Sequence, residues 1–213
     1  MPITLDGSGS LGGINNISTS ASVNVSGTEL GYLDNTTSAI QSQINTAGGL
    51  VKITDQTFSA ASTVNVNNCF TSTYDNYRVF IDFSAASTTL ALTMRLRVSG
   101  TDNSTTNYFR QNMSAQSTTV SASQTASGTS WGLAGSIDNT YISYNRYMFD
   151  IFGPQLTRYT VAVVPSLFVS TTPQYYSNLD AYLFNATTSF DGFSLLASTG
   201  NVTGTLRVYG YRN

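Results

Sequence analysis

From Leu50 onward, apolar residues recur at every second position. Tyr77, Val79, Ile81 and Phe83 alternate with Arg78, Phe80 and Asp82. Leu90, Leu92, Met94, Leu96 and Val98 alternate with Ala91, Thr93, Arg95 and Arg97, the cleanest run in the chain. A period of two is that of a strand with one face against a core. The same rule places Tyr147, Phe149 and Ile151 on one face. It does the same for Tyr159, Val161 and Val163, then for Leu179, Ala181 and Leu183, and finally for Val202, Leu206 and Val208. Trp131, Leu133 and Ile137 share a parity around Gly135, and Phe193 and Leu195 form a weaker strand. Pro165 has no amide to donate and predicts a strand edge or end. Weaker runs at 51–55, 63–66, 108–116 and 118–123 bring the expectation to ten to twelve strands. Turn clusters such as Ser99-Gly100-Thr101-Asp102-Asn103 and Ala126-Ser127-Gly128 separate them. No helical stretch intervenes, so parallel βαβ units are excluded. Many antiparallel strands in residues 49–213 predict a mainly β domain, a sandwich or barrel, with a jelly roll as first choice. The absence of a repeat of 20–50 residues argues against a propeller or β-helix.

The N-terminal part follows other rules. Residues 1–25 are small and polar with scattered aliphatics, and alone cannot bury enough surface to fold. Two readings are open: an extended attachment arm that orders against a partner, or a floppy tail. At 26–48 the pattern changes. Ser26 and Glu29 match a capping box, in which each side chain satisfies the other's backbone amide. Leu30, Leu33, Thr37, Ile40 and Ile44 then follow at spacings of 3, 4, 3 and 4, a two-heptad stripe. Gly48-Gly49 offers a stop. The spacing predicts a helix from about 27 to 46. Either it lies on its own domain, or its stripe is a seam between copies. A stripe this narrow favours the seam, and Ile at 40 and 44 leans towards three strands. Two heptads do not hold a coiled coil alone, so a larger domain must help.

Composition narrows the chemistry. The 213 residues include no His, one Cys, one Lys and one Glu. Charged residues make up only 9%, while 29 Ser, 31 Thr and 18 Asn supply the polar surface. Without His there is no Ser-His-Asp or Cys-His unit and no His-ligated metal. Cys69 alone makes no intrachain disulfide and reads as a small buried hydrophobe. A net charge of −2 leaves no nucleic-acid footprint. Neither a secretion signal nor a membrane-spanning run is expected. Thirteen Tyr, eleven Phe and one Trp are too many for a disordered chain.

The remaining catalytic option is a carboxylate pair, with Asp55, Asp75, Asp82, Asp102, Asp138, Asp150, Asp180 and Asp191 as candidates. Asp82 and Asp150 sit on predicted strands, where pairing with Arg78, Arg95, Arg97 or Arg158 is the plainer role. Asp55, Asp102, Asp138 and Asp191 look like turn formers. Asp102-Asn103 and Asp138-Asn139 supply oxygen ligands but no recognisable Ca²⁺ loop, so Asx-turns are expected. Asn-X-Ser/Thr at Asn16, Asn24, Asn35, Asn103, Asn112, Asn185 and Asn201 is read as composition. Tyr175 and Tyr176 are either an aromatic surface contact or part of ordinary packing. No enzyme activity and no cofactor or metal is expected.

Two stretches carry a family likeness. Gly27-Thr28-Glu29-Leu30-Gly31-Tyr32-Leu33-Asp34, followed by Thr37-Ser38-Ala39-Ile40-Gln41-Ser42-Gln43-Ile44, resembles a recurring segment of bacteriophage tail-fibre and virion appendage proteins. Asn35-Thr36 stands where that segment commonly has Gly-Val. Phe70 to Tyr77, Asn107-Tyr108 and the terminal Gly204-Thr205-Leu206-Arg207-Val208-Tyr209-Gly210 resemble phage virion β-sandwich proteins. The resemblance implies a homotrimeric structural protein of the virion, assembled in the host cytoplasm. Residues 1–25 would dock to other virion proteins, a short coiled-coil neck would follow, and the jelly-roll head would contact a host glycan or protein. It leaves open a capsid decoration (cement) or head-fibre protein. A carbohydrate depolymerase is a third reading.

Overall fold

The computed structural model describes residues 16–19, 23–26, 49–142, 146–169 and 175–212. The chain divides into two compact units, Met1–Ala47 and Gly48–Asn213. In the first unit, β1 (Asn16–Thr19) and β2 (Val23–Ser26) pair antiparallel, with Asn16 opposite Ser26 and Thr19 opposite Val23. Part of the segment read as an arm is thus a strand pair, and Ser26, expected as a helix cap, is the last residue of β2. Glu29, the predicted helix and its stripe at Leu30, Leu33, Thr37, Ile40 and Ile44 lie outside the described residues.

The second unit is an antiparallel β-sandwich. Its strands are β3 (Leu50–Ala61), β4 (Thr63–Val66), β5 (Asn76–Ala86), β6 (Leu90–Val98) and β7 (Thr101–Asp102). There follow β8 (Tyr108–Gln116), β9 (Thr119–Gly128), β10 (Trp131–Ile137), β11 (Arg146–Phe152) and β12 (Thr160–Val169). β13 (Tyr175–Phe184), β14 (Gly192–Ala197) and β15 (Val202–Tyr211) complete it. The larger sheet runs β3-β15-β5-β11-β12-β13-β8-β9, and the smaller runs β10-β6-β14-β4, with β7 on β6. The chain crosses repeatedly from one sheet to the other, as in a jelly roll, but shares its strands unequally. Among the described residues this domain has thirteen strands, one more than the upper expectation, because the two-residue β7 is too brief to show a period.

Inward parity follows the sequence pattern in β5, β6, β11 and β15, where Val79, Ile81, Leu92, Met94, Phe149, Ile151, Leu206 and Val208 are buried. Aromatic rings line the core, edge to face around Tyr108 and tilted or stacked around Phe70. Tyr108 packs on Trp131 at 5.6 Å and on Phe184 at 4.9 Å, and Phe70 joins Tyr77 to Phe193 at 4.8 and 5.8 Å. Each such ring removes about 150–250 Å² from water, so this row dominates the burial energy. Cys69 is buried, and burial pushes its thiol well above the ordinary range.

The segments that carry the family likeness are structural. The buried Tyr77 hydroxyl accepts from the Thr71 amide and donates to the Thr71 carbonyl, both at 2.7 Å, closing the 70–77 corner. The Tyr108 hydroxyl accepts from the Leu96 amide (3.0 Å) and donates to the Asn103 carbonyl (2.8 Å), tying β8 to the smaller sheet. In β15, Gly204 and Gly210 fall on the inward parity. A Cβ there would collide with the Asp82 carbonyl and the Tyr74 ring, respectively.

Two parities differ from expectation. In β12, Thr160, Ala162 and Val164 are buried, while Tyr159 and Val161 are exposed. In β13, Asn178, Asp180, Tyr182 and Phe184 point inward, leaving Leu179 and Ala181 outside. The large rings of Tyr182 and Phe184 outweigh the smaller aliphatics in claiming the core. Pro165 is not at a strand end, but it does sit on a local edge. It lies mid-β12, opposite Leu179, in a sheet-interior strand. The ladder between β11 and β12 covers only Val161–Val163, so from Val164 onward β12 is free of β11 and the missing amide costs nothing there.

Candidate functional site: the outer face of the larger sheet

The outward residues of the larger sheet divide at the boundary between β11 and β12. On the β3 side ion pairs run among aromatic and apolar neighbours such as Phe80, Tyr209, Met148 and Phe152. Lys52 meets Asp55 (3.1 Å), Asp55 meets Arg207 (3.5 Å), Arg207 meets Asp82 (3.6 Å) and Asp82 meets Arg146 (3.2 Å). This alternating ladder crosses four adjacent strands. Beside it, Arg78 grips Asp150 with both nitrogens at 2.7 Å, and the Tyr211 hydroxyl donates to the same carboxylate at 2.7 Å. Burial opposes ionisation of Asp150, but the guanidinium and phenol outweigh it and hold the carboxyl below its usual range. Partial burial, reinforced by that carboxylate, pushes the Tyr211 phenol up to about 12.

The strand carboxylates therefore pair across strands, as expected. Asp150 takes Arg78, one of the named partners, while Asp82 takes Arg146 and Arg207 instead. Asp55, expected in a turn, lies within β3. Asp102 lies on β7, in contact with the nearly buried Arg97, which also binds Asn65 and Asn67. Asp138 accepts from the Thr140 and Tyr141 amides, and Asn103 accepts from the Thr105 amide, the Asx-turns predicted for both.

On the β9 side the outward residues are uncharged and largely apolar. Val161 stands opposite Leu183, and Leu183 opposite Phe109. Val163, Ala181, Gln111 and Gln124 form the next row, Pro165, Leu179, Met113 and Ala122 the one after, and Leu167, Ser177, Ala115 and Val120 another. Val120 is 67% exposed, Leu167 54%, Met113 52% and Leu179 46%. No Asp, Glu, Lys or Arg occupies an outward position of these four strands. Two shallow hollows of about 440 and 310 Å³ lie on this face, the first beside Phe109, Val161 and Leu183, the second beside Met113, Val120 and Leu179. Tyr175 begins β13 and is exposed. Tyr176 instead stacks on Phe168 at 4.5 Å, so the pair is no joint contact loop.

Beneath this face lies a polar cluster. Fully buried Asp180 accepts from Arg110 Nε (2.7 Å) and Asn112 Nδ2 (2.9 Å). Burial raises its carboxyl pKa despite those partners. Its second oxygen and Asn178 Nδ2 find no hydrogen-bond partner among the described residues.

Reading one apolar parity per strand missed this face. A signal was present: Val161 to Val164 is apolar on both parities, and Leu179 to Phe184 carries large apolar residues on both. A strand apolar on both sides is one that expects cover on both. No family profile, curated protein or solved structure matches this chain.

Proposed function

We propose that this chain is a structural protein of a phage virion, a homotrimeric fibre-type appendage. Residues 1–25 dock to other virion proteins, the Leu30–Ile44 stripe joins three copies, and the sandwich is the head. The observation that carries this reading is the division of the chain at Ala47/Gly48 into a short N-terminal unit and one sandwich. That boundary directly follows the segment resembling appendage proteins. Locating the chain in a map of purified particles tests it. A head projecting from the tail supports the fibre, and absence from particles ends the virion reading. Replacing Leu33 and Ile40 together by Asp should lower the oligomer's sedimentation coefficient, whereas high salt should not, because apolar burial supplies the association. A wild-type chain that is monomeric at high micromolar concentration defeats the trimer.

A second reading, capsid decoration, draws support from the broad uncharged face, which suits a subunit lying flat on neighbouring proteins. The same map separates the two.

A further inference from the structure

We propose that the uncharged outer face of β12, β13, β8 and β9, together with the β9 edge, packs against a second copy of this chain, head against head. Three observations lead there. First, the outer face of β12 and β13 carries Val161, Pro165, Leu167, Leu179 and Leu183 with nothing over it among the described residues, whereas the inner face, with Ala162, Val164, Tyr182 and Phe184, is covered. Second, β9 is an edge strand of ten residues, paired only with β8, whose side chains are exposed along nearly its whole length. It carries no charge and no proline. Open edges of that kind invite pairing, and proteins ordinarily block them. The opposite edge, β3, does carry such protection in Lys52 and Asp55. Third, the chemistry of the face argues against nucleic acid, acidic surfaces and glycans, and leaves a protein of equally low charge, which this chain is. A nucleic acid or an acidic surface would need cations, and the face has none. A glycan platform would need stacked aromatic faces with polar donors around them, whereas the rows here are mainly aliphatic.

Size decides how much this contact does. Four strands about 4.8 Å apart, each about seven residues long at about 3.4 Å, make a face of roughly 450 Å². Two such faces bury roughly 900 Å², short of the about 1,200–2,000 Å² of a self-sufficient interface. The head contact therefore adds to an association made elsewhere, and here it rests on the proposed joining of copies through the Leu30–Ile44 stripe. A chain with few charges is also the partner that matches this face at no desolvation cost.

The test uses the full chain with Val120→Arg and Leu179→Arg together. Both side chains are exposed in one copy, so the fold should tolerate the change. Sedimentation equilibrium should show the dissociation constant of the oligomer rising at least tenfold, with an unchanged circular dichroism spectrum. Hydrogen exchange on the wild-type chain gives an independent readout: β9 amides should gain protection as concentration rises through the dissociation constant. An unchanged constant, or β9 amides that exchange at an open-edge rate in the oligomer, overturns the inference and leaves the neck reading standing. Loss of assembly in this variant but not in Leu33→Asp/Ile40→Asp supports the head contact and removes the neck. A monomeric wild type removes both.

Discussion

At one end of the eight-stranded sheet, β3, β15, β5 and β11 turn an ionic ladder towards solvent. At the other, β12, β13, β8 and β9 turn aliphatic rows. The backbone and pairing are the same, and one register row crosses both: Tyr209, Arg78, Asp150, Val163, Ala181, Gln111 and Gln124 lie side by side. Chemistry changes between Asp150 and Val163, within one strand spacing. The inner faces differ as well. Under the ionic half lie Val79, Ile81 and Val208, while under the apolar half the core of Tyr108, Val164, Tyr182 and Phe184 is joined by the buried Arg110–Asp180–Asn112 cluster. One half thus sets charge outside over an apolar core. The other sets aliphatic residues outside over a core that also holds a polar cluster.

The comparison can be broken most severely from the inside. Replacing Arg110 by Met leaves Asp180 buried without its cation and should cost about 3 kcal/mol in chemical denaturation. Asp180→Asn probes the same cluster through pH. A carboxyl whose folded pKa is raised stabilises the fold only while protonated. Wild-type stability from this group therefore falls as pH rises from about 3.9, the unfolded value, through the raised folded value. Across that window the amide variant should gain on the wild type; parallel stability curves would refute the burial argument. The Val120→Arg/Leu179→Arg pair comes next, reading assembly and not folding.

On the ionic half effects should be smaller. Asp150→Asn should cost about 1 kcal/mol near neutrality, because the forked Arg78 contact is only partly shielded. The sign of its pH dependence is opposite to that of Asp180. Its depressed folded pKa makes the contribution full above about 3.9 and lost as pH falls through the folded value, so wild type and variant should converge in acid. Smallest of all, Arg207→Ala should leave the melting temperature within error, since both its ion pairs lie in water. A loss of several degrees would show that the ladder acts as a unit.

Much of the fold was legible in the chain. Periods of two located β5, β6, β11 and β15 closely, because in each the more apolar parity is the inward one, while β8 showed only as a weaker run. The Asx-turns at Asn103 and Asp138 and the burial of Cys69 were equally local matters. The orientation of β12 and β13 was not. There both parities are apolar, and local period cannot say which one faces inward. Only the assembled core decides, by setting Tyr182 against Trp131 of the smaller sheet and Phe184 against Tyr108 of the neighbouring strand. The exposed face follows from that choice and from nothing nearer in sequence. Pro165 was read as an edge or an end because its missing amide is a local fact, whereas the departure of β12 from β11, which makes it a local edge, is a tertiary one. The sequence by itself determined the β class, the strand positions and the scarcity of charge, since these depend on residues within a few positions of each other. Which side of a strand meets water depends on packing between residues far apart, and only the assembled sandwich decided it.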